Sequence, residues 1–190
     1  MKKTMNKFLT LLSLIVHLNQ RIQTLIGHTV AWGTLSLVLI TALVVIMRYG
    51  FDTGSIALQE SIMYNHAIVF MLGIAYTYLK DEHVRVDVFY SQYSERKKLW
   101  VNLIGSVVLT LPITLFILWA SADYIAASWS ISEGSAEAGG IGYLYVLKTL
   151  IAAMASLLML QALAIISQSI LELKGLVKHS EASHLQGGKL

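Results

Sequence analysis

Lys80-Asp81-Glu82-His83-Val84-Arg85-Val86-Asp87 puts six charged or titratable side chains into eight residues of a chain that is 56% hydrophobic and only 13% charged. Soluble domains carry roughly 25% charged residues, so the exterior of this protein is built to face lipid. The octet is flanked by two apolar runs, about residues 61–79 and about 99–122. A helix of about 20 apolar residues crosses the roughly 30 Å hydrocarbon core, and both runs reach that length. The octet therefore reads as a polar hinge between two membrane helices. Its density of charge, and the alternation of Val84, Val86 and Val88 with Arg85 and Asp87, predict an ordered connection with one apolar face rather than a simple wet turn.

Two further windows qualify as spans, about residues 29–47, closed by Arg48-Tyr49, and about 143–166, opened by Tyr143, Tyr145 and Lys148. Trp100 and Trp119 stand near the two ends of the third span, as amphipathic rings at an interface do. The fold class expected is thus an all-α membrane protein with four transmembrane helices. Basic residues orient it. Lys2, Lys3, Lys7 and Arg21 precede the first span; Lys80, Arg85, Arg96, Lys97 and Lys98 fall between the second and third; Lys174, Lys178 and Lys189 follow the fourth. An even number of spans places all three groups on one side, which the positive-inside rule makes the cytoplasm. Arg48 and Lys148 remain for the other side, each flush with a helix end where it can snorkel. Both termini are expected to be cytoplasmic.

Ahead of the first span, Phe8, Leu11, Leu12, Ile15, Leu18, Ile22 and Leu25 fall on one helical stripe, with Asn6, Lys7, Ser13, Asn19, Gln20, Gln23 and Thr24 elsewhere. This predicts an amphipathic interfacial helix over residues 1–28, a four-helix transmembrane domain over 29–174, and a flexible cytoplasmic tail over 175–190. No small-residue cleavage site follows the apolar stretch that begins at Phe8, which argues against a removed signal. The net charge of +3 follows the membrane topology and implies no nucleic-acid partner. With no cysteine, disulfides, iron–sulfur clusters and Cys-based zinc sites are excluded.

The remaining polar residues include several candidate sites. His66, inside the second span beside Asn65, either lines a polar interface with a partner helix or sits hydrated near the outer surface. A haem would need a second histidine at equal depth; His28 alone is available, at the opposite end of a span, so a cofactor-holding redox subunit is disfavoured. In the hinge, Asp81, His83, Arg85 and Asp87 suit an ion-paired ordered loop better than a metal site or an acid/base pair. No nucleophile elbow, phosphate loop or redox motif accompanies them. This favours a non-enzyme without cofactor or metal. The loop of residues 129–142 carries Trp129, Glu133 and Glu137, which could face a basic partner surface. Arg48 either pairs with Glu60 or anchors to lipid phosphate. Pro112 predicts a kink in the third span. The spans lack the string of intramembrane acids and bases of a proton pathway, and lack a pair of broken helices. This favours an accessory subunit over a complete transporter or a small channel.

Over about residues 29–166 the arrangement resembles the small membrane subunit, DctQ-type, of tripartite ATP-independent periplasmic (TRAP) transporters. The resemblance rests on Arg48-Tyr49, Gln59-Glu60, Leu72-Gly73-Ile74-Ala75-Tyr76, the hinge His83-Val84-Arg85-Val86-Asp87, Leu111-Pro112, Ser128-Trp129, and Glu133, Ser135, Gly139 and Gly140 in order. It implies a multi-pass bacterial inner-membrane protein that partners a large elevator-type transport subunit, a transient periplasmic substrate-binding protein, and membrane lipids. The implied activity is ion-gradient-driven uptake, sodium-coupled in most of the family, of an organic acid or related solute. The small subunit would serve as scaffold and docking surface, with Arg48, Gln59, Glu60, His66, Trp129, Glu133 and Glu137 as interface candidates.

Overall fold

The computed structural model describes residues 2–83 and 90–176, with the side chains of residues 2–6 and 8 left aside. Arg85 and Asp87 of the hinge lie outside the described residues, as does residues 177–190 of the expected tail. Four helices account for most of what is described: α1 (Lys2–Gly50), α2 (Ile56–Leu79), α3 (Glu95–Ser130) and α4 (Leu144–Leu173). All four are long and apolar enough to cross a membrane.

Local chemistry sets their ends. The Ser55 hydroxyl accepts a hydrogen bond from the Leu58 amide and caps the start of α2. α2 closes with Asp81 in the left-handed region at φ 61°, while the Glu82 amide donates to Thr77 O and the Asp81 amide to Tyr78 O. This pair of bonds satisfies carbonyls that the last turn would otherwise leave open. The same pair closes α3, from Glu133 to Ser128 O and from Ser132 to Trp129 O. It closes α4 as well, from Leu176 to Leu171 O and from Gly175 to Glu172 O. Inside α3, residues Ser106–Thr110 form a wide π turn just ahead of Pro112, with the Leu111 amide donating to Ser106 O. A proline has no amide to donate and its ring crowds the preceding turn; widening that turn accommodates it within a continuous span.

α4 is the hub. It packs against α1, α2 and α3, α1 and α2 run along one another, and α3 makes its principal contacts with α4. The α1–α2 crossing is made by small residues. A Cβ on Gly27 would stand 2.2 Å from Cγ of Tyr76, so only glycine lets that ring seat against the α1 backbone. Higher up, Asn65 Nδ2 donates to Gly33 O at 3.0 Å, which explains the polar residue in the second span.

The polarity is the reverse of a soluble domain. Fully buried positions are small or polar, among them Ala75, Ala155, Ala162, Thr114, Asn19, Gln23 and Gln161. Trp32, Trp119 and Phe116 are 75%, 76% and 61% exposed. Helices in lipid gain nothing by hiding leucine, so close backbone approach and interhelical hydrogen bonds hold them together.

α1 departs from the division drawn at residue 28, since it runs unbroken for 49 residues, about 74 Å at 1.5 Å per residue. That is more than twice the thickness of a hydrocarbon core. Its lower half has three faces. Leu12, Val16, Asn19, Gln23 and Gly27 are buried against neighbouring helices. Leu11, Leu14, Leu18, Ile22 and Leu25 are exposed, so most of the apolar stripe looks outward. Thr10, His17, Arg21 and His28 form a third, polar, exposed face. Asn19 Nδ2 donates to Gln161 Oε1 at 2.6 Å, and Gln23 Nε2 donates to Leu157 O at 3.0 Å, fastening α1 to α4.

Candidate functional site

The loops joining α1 to α2 and α3 to α4 share one end of the molecule, the loop end. The end of α2 and the start of α3 lie at the other. At the loop end, one carboxylate organises the longer loop. Ile141 N donates to Glu60 Oε2 at 2.6 Å, and the Ser135 hydroxyl donates to Glu60 Oε1. Ser135 Oγ also accepts from the Glu137 amide at 3.1 Å, and the Ser135 amide donates to Ile141 O at 3.0 Å. Gly140 sits over this knot; a Cβ there would meet Ser135 Oγ at 2.4 Å and Glu60 Oε1 at 2.8 Å. Glu60, on the second turn of α2, thus clamps a segment that is more than seventy positions away in sequence.

A second clamp joins the same loop to α4. Lys148 Nζ donates to Glu133 Oε2 at 2.5 Å and stands 4.0 Å from the centroid of the Tyr124 ring. The Lys148 ammonium holds the Glu133 carboxyl below its ordinary value of 4.5. Trp129 packs edge-on against Tyr145 at 4.6 Å, and its indole N–H donates to Thr149 Oγ1 at 2.9 Å. The result is a rigid cap on which Glu137 stays exposed. Ile56, Gln59, Glu60, Met63 and Glu137 line a shallow cleft between α2 and this cap.

The structure therefore gathers Gln59, Glu60 and Glu137 at one cleft, and seats Trp129 and Glu133 beside it against α4. Glu60 bonds the loop rather than Arg48, which is exposed at the end of α1. His66 lies farther down α2, exposed, its ring stacked on Phe70 at 6.1 Å. At the opposite end, the His83 ring lies 3.2 Å from Ile74 O through Nε2 and edge-on to Tyr78 at 5.5 Å, folding the described start of the hinge back onto α2. Asp81 supplies the left-handed turn that makes this possible.

Sequence reasoning passed over Ser135, Ile141 and Lys148 as partners, and Asn19 with Gln161 as a buried pair. A short loop holding Glu133 ahead of a lone Lys148 was a signal for the ion pair. Nothing local distinguishes Ile141, which contributes only its backbone amide. Chemically, the Glu60 and Glu133 carboxylates are engaged with backbone, hydroxyl or ammonium groups, an arrangement that orders a surface. Among the described residues, no three His, Cys, Asp or Glu side chains converge as a metal site would need.

No curated protein and no solved structure gives a significant match to the chain. Residues 37–172 match the family model described as tripartite ATP-independent periplasmic transporters, DctQ component. That stretch includes the upper part of α1, the clamped cap, and nearly all of α4, the elements from which the site is built. The chain belongs to the DctQ family and is a small membrane component of a TRAP transporter.

Proposed function

We propose that this chain is the fixed scaffold and docking subunit of its transporter, binding no solute itself. In this reading it lies in the bacterial inner membrane with both termini in the cytoplasm and the loop end in the periplasm. It widens the static frame against which a large subunit carries solute by an elevator motion, and its cap forms part of the surface that receives a substrate-binding protein. Uptake is driven by an ion gradient, sodium in this proposal, and the solute is an organic acid or a relative.

The single observation that carries the reading is the doubly clamped cap. Glu60 and Lys148 each spend a charge on holding one loop rigid, as a docking surface requires and a solute pathway does not. Preorganising a surface reduces the ordering cost of each encounter. Within this reading, Arg85 and Asp87 order the hinge on the cytoplasmic side, and replacing either with alanine lowers the yield of the complex more than solute affinity.

The test is reconstitution. Vesicles holding the large subunit, an imposed sodium gradient and the binding protein should accumulate solute only when this chain is present. Equal uptake without it would remove the scaffold role.

A further inference from the structure

The exposed faces of α2 and α3 are equally open but differ in chemistry. From Trp100 to Trp119, every exposed side chain of α3 is apolar, which suits acyl chains. On the upper two-thirds of α2 the exposed positions are Ile56, Gln59, Met63, His66, Ile68 and Phe70. All of these except Ile68 recur at intervals of three and four residues and so form one stripe. The stripe starts in the cleft beside Glu137 and runs down to Phe70.

His66 is the group on that stripe that lipid cannot satisfy. It follows Glu60 by six residues, about 9 Å along the axis, and lies within the membrane-capable helix Ile56–Leu79. Its ring stacks on Phe70 of the same face, and among the described residues its nitrogens have no hydrogen-bond partner. Ionisable groups within spans face a protein interior or a water-filled cavity, since each unsatisfied polar group in hydrocarbon is costly. Asn65, its neighbour, is turned inward onto Gly33 O. The polar requirement at this depth is therefore met inward by Asn65 and left open outward by His66.

From this we infer that the α2 stripe Gln59–Met63–His66–Phe70 is the surface that seats a membrane helix of the large subunit, and that this helix places a hydrogen-bonding side chain opposite His66. The apolar face of α3 then looks to lipid. This inference rests on the subunit reading above, because a component of a three-part assembly must present some face to its membrane partner.

The experiment uses the full chain in its native membranes, with the photo-reactive amino acid p-benzoylphenylalanine in place of Phe70 or of Phe116. These positions are 60% and 61% exposed, so they differ in face and not in accessibility. Position 70 should cross-link to the large subunit, and position 116 should give no protein product. In parallel, His66→Phe should lower recovery of the large subunit by roughly three- to tenfold, the span expected for one interhelical hydrogen bond, while His66→Gln retains most of it. Both variants change an exposed side chain, and an unchanged elution profile of each purified chain verifies folding. Cross-linking from 116 but not 70, or from 70 only to lipid or to a second copy, overturns the assignment of the face while leaving the subunit reading intact. Equal recovery with phenylalanine and glutamine at 66 overturns the role of the imidazole. Absence of any large partner in the unlabelled parent overturns the subunit reading, and this inference with it.

Discussion

Glu60 shows how much one side chain can determine when its two oxygens meet the two ends of a loop. Ser135 binds one and Ile141 the other, so the loop closes on a carboxylate that another helix supplies. Glu60→Ala should leave the helices intact and loosen the cap, seen as faster proteolysis between residues 133 and 142 from the loop side of sealed vesicles. Unchanged cleavage would show that the loop holds itself. Glu133 makes a different prediction through pH. Its folded carboxyl is held below 4.5 by Lys148, so the contribution of the pair is complete above that value and is lost as pH falls through the folded pKa. Loop proteolysis should therefore rise only below about pH 4.5, and Lys148→Met should raise it at neutral pH. Glu137 joins the Glu60 clamp only through its backbone, its amide donating to Ser135 Oγ, while its side chain is exposed at the cleft. Glu137→Gln should weaken the dependence of uptake on binding-protein concentration without loosening the cap, whereas Glu133→Gln should loosen it.

The helices are held by contacts that are small or polar. Asn19 and Gln161 are both fully buried, and each satisfies the other across the α1–α4 interface. Asn19→Leu or Gln161→Leu alone should cost roughly 0.6–2 kcal/mol, with the double variant costing less than the sum. Additive losses would mean that the bond contributes nothing beyond packing. Gly27→Val should cost about 1–3 kcal/mol through collision with Tyr76, and Tyr76→Ala in the same chain should recover much of it. The number and type of the membrane-capable helices were legible in the sequence because hydropathy is a local signal. The face each helix buries was not. In lipid the apolar stripe of α1 looks outward and the amides of Asn19 and Gln23 look inward, so reading the stripe as the packing face would invert the structure. Pro112 pointed to a kink in α3; the structure places a widened turn, Ser106–Thr110, just ahead of it. The cap clamp was legible only in part, since Glu60 and the 129–142 loop were candidates while the bond between them depends on a backbone amide with no sequence signature.

At the scale of the whole molecule, α4 joins an α1–α2 pair on one side to α3 on the other, with polar contacts concentrated inside and at the loop end. Such a shape exposes a large lipid-compatible surface relative to its interior, which suits a subunit that extends a larger frame. It also explains how α1 can outrun the bilayer. Its lower half carries one face for its neighbouring helices, one apolar face outward and one polar face, as a helix entering the interface obliquely would need. The chain is a small membrane component of a TRAP transporter, so it should be found with a larger partner. The most direct measurement is its purification from native membranes in mild detergent, with the intact assembly weighed and its members identified by mass spectrometry. A large multi-span protein should emerge in a fixed stoichiometric ratio with this chain. A chain that emerges folded, stable and alone would contradict it.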